Sequence, residues 1–130
     1  MHIGSLVYER GFSTIIKRAA RWGCGSSCPL IWFAGRHAII QRNSLLIFHV
    51  ASDERTHQVY PDLVFAIANY LQDVGGLTAR QANFLSNAAP PEGGWIATEA
   101  NARALGFRFQ YIPSFFAGRN CETKFCVSVP

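Results

Sequence analysis

Ser26 and His49 are the residues whose types and spacing suit acyl-transfer chemistry. Ser26 lies in Gly23-Cys-Gly-Ser-Ser-Cys-Pro-Leu-Ile-Trp-Phe-Ala-Gly35, where a glycine-containing turn gives way to an apolar run. A hydroxyl at the mouth of a helix meets free backbone N–H groups and the positive end of the helix dipole, and both stabilise an alkoxide or oxyanion. Serine is a poor nucleophile at neutral pH until a base takes its proton, so the chemistry needs a histidine nearby. His49 is the candidate base. It stands near the end of the apolar segment 45–50, and strand ends are where open α/β sheets carry functional groups. Both residues also have plain structural uses, the serines as a helix N-cap and the histidine as a hydrogen-bonded strand-end residue. Spacing alone leaves the two readings open. His37, after Gly35-Arg36, suits the end of a helix, and His2 and His57 fall in surface segments.

The elements that must position this pair can be read in chain order. The β-branched segment 13–17 (Ser-Thr-Ile-Ile-Lys), following Gly11, predicts a short strand. Pro29 near the start of the apolar run and Gly35 at its end predict a short buried helix, with Ser26 and Ser27 able to cap it. Segments 38–41 and 45–50 are rich in β-formers and separated by Arg42-Asn-Ser44; the second is continuously apolar, as in a strand covered on both faces. Residues 62–72, between Pro61 and Gly75-Gly76, predict the clearest helix. Further helices are expected to open at Thr78 and Thr98, the latter closing at Gly106 with Glu99 in its first turn and Arg103 toward its end. Phe107, Phe109 and Tyr111 alternate with polar residues, as in a half-exposed strand. Strands mixed with helices in this order predict an α/β layered domain.

With 130 residues, 49% hydrophobic and 15% charged, the chain has the size of one domain spanning 1–130, far from the signature of disorder. Its net charge of +4 comes from scattered Lys and Arg rather than a run, which argues against nucleic-acid binding. No apolar stretch approaches the roughly 18 residues of a membrane-spanning helix. No basic segment followed by an apolar core and small-residue cleavage site opens the chain, so as given it reads as cytoplasmic, or its start is missing. The cysteines form two close pairs, Cys24 with Cys28 and Cys121 with Cys126, open to disulfide, metal or buried-thiol readings. The spacings differ from those of a four-cysteine zinc site. A bond in either pair would imply an oxidising compartment.

The segments Gly11-Phe-Ser-Thr-Ile-Ile, Cys24-Gly-Ser-Ser-Cys28, Ala34-Gly35 and Leu46-Ile-Phe-His49 together resemble the bacterial Clp-protease-like serine peptidases that frame their serine as Cys-x-Ser-x-Cys. Trp95-Ile-Ala-Thr-Glu-Ala-Asn-Ala-Arg-Ala-Leu-Gly-Phe107 resembles the late helix of that family, so the likeness covers about 11–107 and leaves 108–130 as an uncertain tail. The resemblance implies a ClpP/crotonase-like layered domain of short parallel strands and helices, and a serine hydrolase acting on a peptide or protein. It casts Ser26 as nucleophile, His49 as base and the Ser27 N–H as one oxyanion donor. It implies no metal or organic cofactor, a homo-oligomer, and a periplasmic or exported location if a signal peptide lies upstream.

Two features depart from the family pattern. The glycine-rich turn that supplies the other oxyanion donor has no counterpart, since too little chain separates Gly4-Ser5 from the 11–16 segment to hold a helix between them. The expectation is that Met1 falls within that helix and that the first strand is missing. The place of the triad acid falls at or near Gly94, which has no carboxylate; Glu92 is the nearest substitute and Asp73 a second. These departures motivate an alternative, a catalytically impaired remnant serving as a structural or interaction subunit. A crotonase-type acyl-CoA enzyme is a third reading, one that would not need the framed serine.

Overall fold

The computed structural model describes residues 2–17 and 23–113; Cys121 and Cys126 lie outside them. Helix α1 (His2–Glu9) leads into strand β1 (Thr14–Ile16), followed by helix α2 (Cys28–Phe33) and strand β2 (Ala38–Gln41). These strands pair in parallel, Ile15 opposite Ile39, and strand β5 (Gln110–Ile112) joins the other side of β2 in parallel, Ile40 opposite Tyr111. The sheet order is therefore β1-β2-β5. Its central strand is the most apolar, with Ile39 and Ile40 buried. The protein is thus a mixed α/β fold with a small parallel sheet and flanking helices. No helix among the described residues is long and apolar enough to cross a membrane.

Helix α1 occupies the segment whose Gly4-Ser5 weakens any helical pattern. Gly4 is required there because a Cβ would collide with the Tyr70 hydroxyl, which donates to the Leu30 carbonyl at 3.0 Å. Helix α2 is fixed at its far end by Trp32: its indole N–H donates to the Ile39 carbonyl at 2.8 Å, and its own carbonyl accepts from the Thr14 hydroxyl at 2.6 Å.

Strand β3 (Ile47–Phe48) pairs antiparallel with β4 (Trp95–Ile96), and Leu46 is bridged in parallel to Cys24 on the other side. The continuously apolar segment 45–50 is not a strand covered on both faces. Leu46, Phe48 and Val50 are buried, Ile47 and His49 only partly, and Leu45 is exposed. One face packs on the core, and the other is screened only by short neighbouring segments.

Helix α3 (Pro61–Asp73) begins with proline in its first turn and buries Ala68, Tyr70 and Leu71, packing on helix α4 (Ala79–Ser86). Thr78 and Gln81 form a reciprocal capping box at the start of α4, as Thr98 and Asn101 do for helix α5 (Glu99–Ala104). Arg103 donates to Glu99 at 2.9 Å along α5. The strand expected to begin at Phe107 is ordered as such only from Gln110, although Phe107 is buried and Arg108 exposed as the alternation requires.

Seven aromatic rings close a circuit through the core. Trp32 meets Phe33 at 4.9 Å, Phe33 meets Phe48 at 6.1 Å, and Phe48 meets Trp95 at 5.9 Å between centroids. Trp95 continues to Phe84 and Phe107, and Phe109 returns to Trp32 at 5.1 Å. Edge-on and tilted contacts of this kind add about 0.5–1.5 kcal/mol each beyond area burial. The circuit joins α2 to the strand that leads into His49.

Candidate functional site

Ser26 sits at the apex of a tight turn with φ of +56°, one of three described non-glycine residues with positive φ. That region disfavours residues bearing a Cβ, and such backbone clusters at functional sites. The turn is entered from Gly23, whose φ of +58° and closeness to Leu45 (a Cβ would lie 2.9 Å from its carbonyl oxygen) admit only glycine. It is left through Cys28, whose N–H donates to the Gly25 carbonyl at 3.1 Å. Ser26 and Ser27 are exposed. Ser27 occupies the N-cap position of α2 without a side-chain capping bond, and the Ser26 hydroxyl bonds to no described residue. The capping use open to these serines is therefore not the one they serve.

Cys24 and Cys28 form a disulfide with a Cα–Cα distance of 5.2 Å, enclosing Ser26 in a five-residue loop. A ring this small adds only about 2 kcal/mol by loop-closure entropy, so its main consequence is local geometry.

The Cys24 N–H donates to the Leu45 carbonyl at 2.6 Å, and the Cys24 carbonyl accepts from the Ile47 N–H at 2.8 Å. Because this bridge is parallel, the Ser26 turn and the His49 strand leave it at the same end. His49 is half-buried, with Nδ1 3.0 Å from the Val50 carbonyl oxygen. A carbonyl can only accept, so this hydrogen bond puts the proton on Nδ1 and leaves Nε2 with a free lone pair. That is the tautomer a general base requires.

No protein-family model, curated protein or solved structure matches this chain.

The acid position is where the site differs most from the expectation. The paired register of β3 with β4 ends at Phe48 opposite Trp95; Gly94, the residue before Trp95, lies against Ile47 and has no side chain to offer. Glu92 lies on the same loop, but its carboxylate is 4.0 Å from Nδ1 of His57, both side chains being largely exposed. Asp73 is exposed and forms no ion pair with a described residue. The structure thus joins neither carboxylate to His49. The group that orients its imidazole is the Val50 carbonyl, which no residue-type signal could announce. The Gly4-Ser5 pair belongs to α1 and forms no glycine turn facing Ser26. An apolar cleft of about 340 Å³ between α1 and α2, lined by Ile3, Leu30, Ile31 and Tyr70, borders Ser27. Among the described residues, no group of His, Cys, Asp and Glu is arranged to hold a metal ion.

The loop after His49 is organised by Asp53, whose carboxylate accepts from the backbone N–H groups of Arg55 and Thr56, the Thr56 hydroxyl and the Tyr60 hydroxyl. The Thr56 and Arg55 backbone donors lead in holding the Asp53 pKa below its ordinary value of 3.8. A depressed carboxylate pKa contributes order above the unfolded value and loses it as pH falls through the folded one. The amides of Arg55 and Thr56 are therefore expected to remain protected from exchange down to pH 3.8 and to lose protection below it, as NMR hydrogen exchange would show. Protection persisting in Asp53→Ala would contradict this.

Proposed function

We propose that this chain is a serine hydrolase of the Clp-protease-like peptidase class, with Ser26 as nucleophile, His49 as general base and the Ser27 N–H as an oxyanion donor. The observation that carries the reading is the parallel bridge between Cys24 and Leu46, which sends the turn bearing Ser26 and the strand bearing His49 out at one end. The positive φ of Ser26 and the unused hydroxyl add support.

Nε2 of His49 takes the Ser26 proton as Oγ attacks the acyl carbon of a peptide or protein substrate. The tetrahedral intermediate collapses as the imidazolium returns that proton to the leaving amine, and water then hydrolyses the acyl-enzyme by the same base. The Val50 carbonyl holds the ring in place of a triad acid. It orients the imidazole without offering a full negative charge to stabilise its cation, so a modest turnover is expected. The reading extends to a layered ClpP/crotonase-like domain and to a homo-oligomer; the exposed Leu63 and Phe65 of α3 suit such an interface.

The test is a fluorophosphonate probe followed by digestion and mass spectrometry. Label is expected on the peptide containing Ser26 and is expected to vanish in Ser26→Ala; label that persists in that variant overturns the assignment.

The lack of a carboxylate at Gly94 and the place of Glu92 beside His57, 4.0 Å away, favour a second reading, a non-catalytic subunit that keeps the fold. It predicts no labelling under any condition together with stable self-association.

A further inference from the structure

We infer that the Cys24–Cys28 disulfide is a positioning device for Ser26, which makes the nucleophile competent only while the bond is intact. This rests on the hydrolase reading and specifies the regulation of the same site.

Cys24 is the fixed end of the clamp. It is 3% exposed and is bonded through its N–H to Leu45 and through its carbonyl to Ile47, in the segment that leads into His49. Cys28 is the first residue of α2 and is exposed. The disulfide therefore ties the start of the nucleophile's helix to the strand of the base, across the five-residue loop that has Ser26 at its apex.

Little else holds that apex. Ser26 adopts a left-handed backbone that L-residues disfavour, its hydroxyl bonds to no described residue, and Ser27 makes no side-chain cap. Beside the disulfide, the turn is held by the Cys28 N–H to Gly25 carbonyl bond and, where it enters α2, by the Ile31 N–H to Ser27 carbonyl bond at 3.3 Å, neither of which involves Ser26 itself. The helix itself is docked at its other end, by Trp32 on the Ile39 carbonyl and by Phe33 against Phe48. Opening the disulfide thus frees the serine to leave the left-handed region while the helix stays seated.

The redox step is thiol–disulfide exchange with a dithiol. Its thiolate attacks the sulfur of Cys28, the exposed residue of the pair, and expels the Cys24 thiolate, which takes up a proton. The second thiol then displaces Cys28 and closes a cyclic disulfide. The dithiol gives up two electrons and two protons, and Cys24 and Cys28 each gain a hydrogen. The site is consequently active in an oxidising compartment and silent in a reducing one.

The test measures the fluorophosphonate labelling rate of Ser26 in the oxidised full chain, after dithiothreitol, and after reoxidation, beside a Cys24→Ser/Cys28→Ser variant under the same conditions. Reduction is expected to slow labelling about a hundredfold, the scale of an ångström-sized misplacement of a reacting group, and reoxidation to restore it. The double variant is expected to label slowly and to ignore dithiothreitol, so that any response from other cysteines is separated. Far-UV circular dichroism and a cooperative thermal transition are expected to survive in both reduced chain and variant, which a merely fold-holding bond would not allow. Equal labelling of oxidised and reduced chains, or fast labelling of the variant, overturns the inference and leaves the hydrolase reading standing. Loss of the dichroism spectrum on reduction also overturns it. Absence of label in every state overturns both.

Discussion

Fluorophosphonate labelling of Ser26 is expected to slow by about 10²- to 10⁴-fold in His49→Ala, the range that a positioned general base contributes. The magnitude follows from the tautomer: the Val50 carbonyl engages Nδ1 at 3.0 Å and leaves Nε2 as the proton acceptor. Alanine removes that acceptor while leaving the parallel bridge at Leu46, three residues upstream, untouched. Because His49 is half-buried and its ring makes a single hydrogen bond to its neighbour's carbonyl, the loss in stability is expected to be only about 1 kcal/mol. Rate and stability therefore separate, as labelling kinetics and urea denaturation of one preparation would show. His37→Ala and His57→Ala serve as controls and are expected to label at the wild-type rate. A wild-type rate in His49→Ala removes this residue from the site.

Leu46→Ala is expected to be the most damaging single truncation near the site, lowering unfolding free energy by about 3–5 kcal/mol, the upper part of the range for buried Leu→Ala. Leu46 is 0% exposed and lies between Cys24 and Ala97, whose N–H donates to the Leu46 carbonyl at 2.8 Å. The cavity left there is flanked on both sides by hydrogen-bonded backbone that cannot close inward without breaking pairing. For a domain of this size such a loss lowers Tm by roughly 10–20 °C. Phe65→Ala on α3 provides the contrast. With 69% of its surface exposed, Phe65 is expected to change stability by less than about 0.5 kcal/mol in the monomer. A Leu46→Ala chain as stable as Phe65→Ala would contradict the packing described for β3.

What the sequence reveals here divides along the range of the interactions that decide each element. Helix α3, between Pro61 and Gly75, and the helices opened by Thr78 and Thr98 are set by local chemistry: a proline that fits the first turn and threonine hydroxyls that cap the residue three positions on. Such signals lie within a few residues and are legible. Helix α1 (His2–Glu9) carries no such local signal: only the resemblance sets a helix around Met1, and its Gly4 is explained by Tyr70, far along the chain. The segment 45–50 was misleading for a related reason. An unbroken apolar run reads as burial on two faces, but Leu45 and Ile47 face short segments that screen them incompletely.

The candidate site divides in the same way. Residue types nominate Ser26 and His49, and the Cys24–Leu46 bridge gives them a common exit. The left-handed backbone at Ser26 carries no compositional signal, since glycine or asparagine would be the usual occupant. The cysteine spacing left disulfide, metal and thiol readings open, and only the fold closes the first pair. Glu92 is near His49 in neither chain order nor bonding; its partner is His57, and that pairing depends on how two loops meet.

The sheet order has a consequence for synthesis on the ribosome. Strand β2 sits between β1, already made when β2 emerges, and β5, about seventy residues later. At about 5–20 residues per second, the Ile39–Gln41 edge of β2 stays bare for several seconds, presenting unpaired N–H and carbonyl groups beside isoleucines. Such an edge is a template for pairing with a neighbouring nascent chain. The interval in which this protein is most exposed to misassembly is thus set by the position of Gln110–Ile112 in the reading frame, and close spacing of ribosomes on one message would lengthen the odds against correct folding.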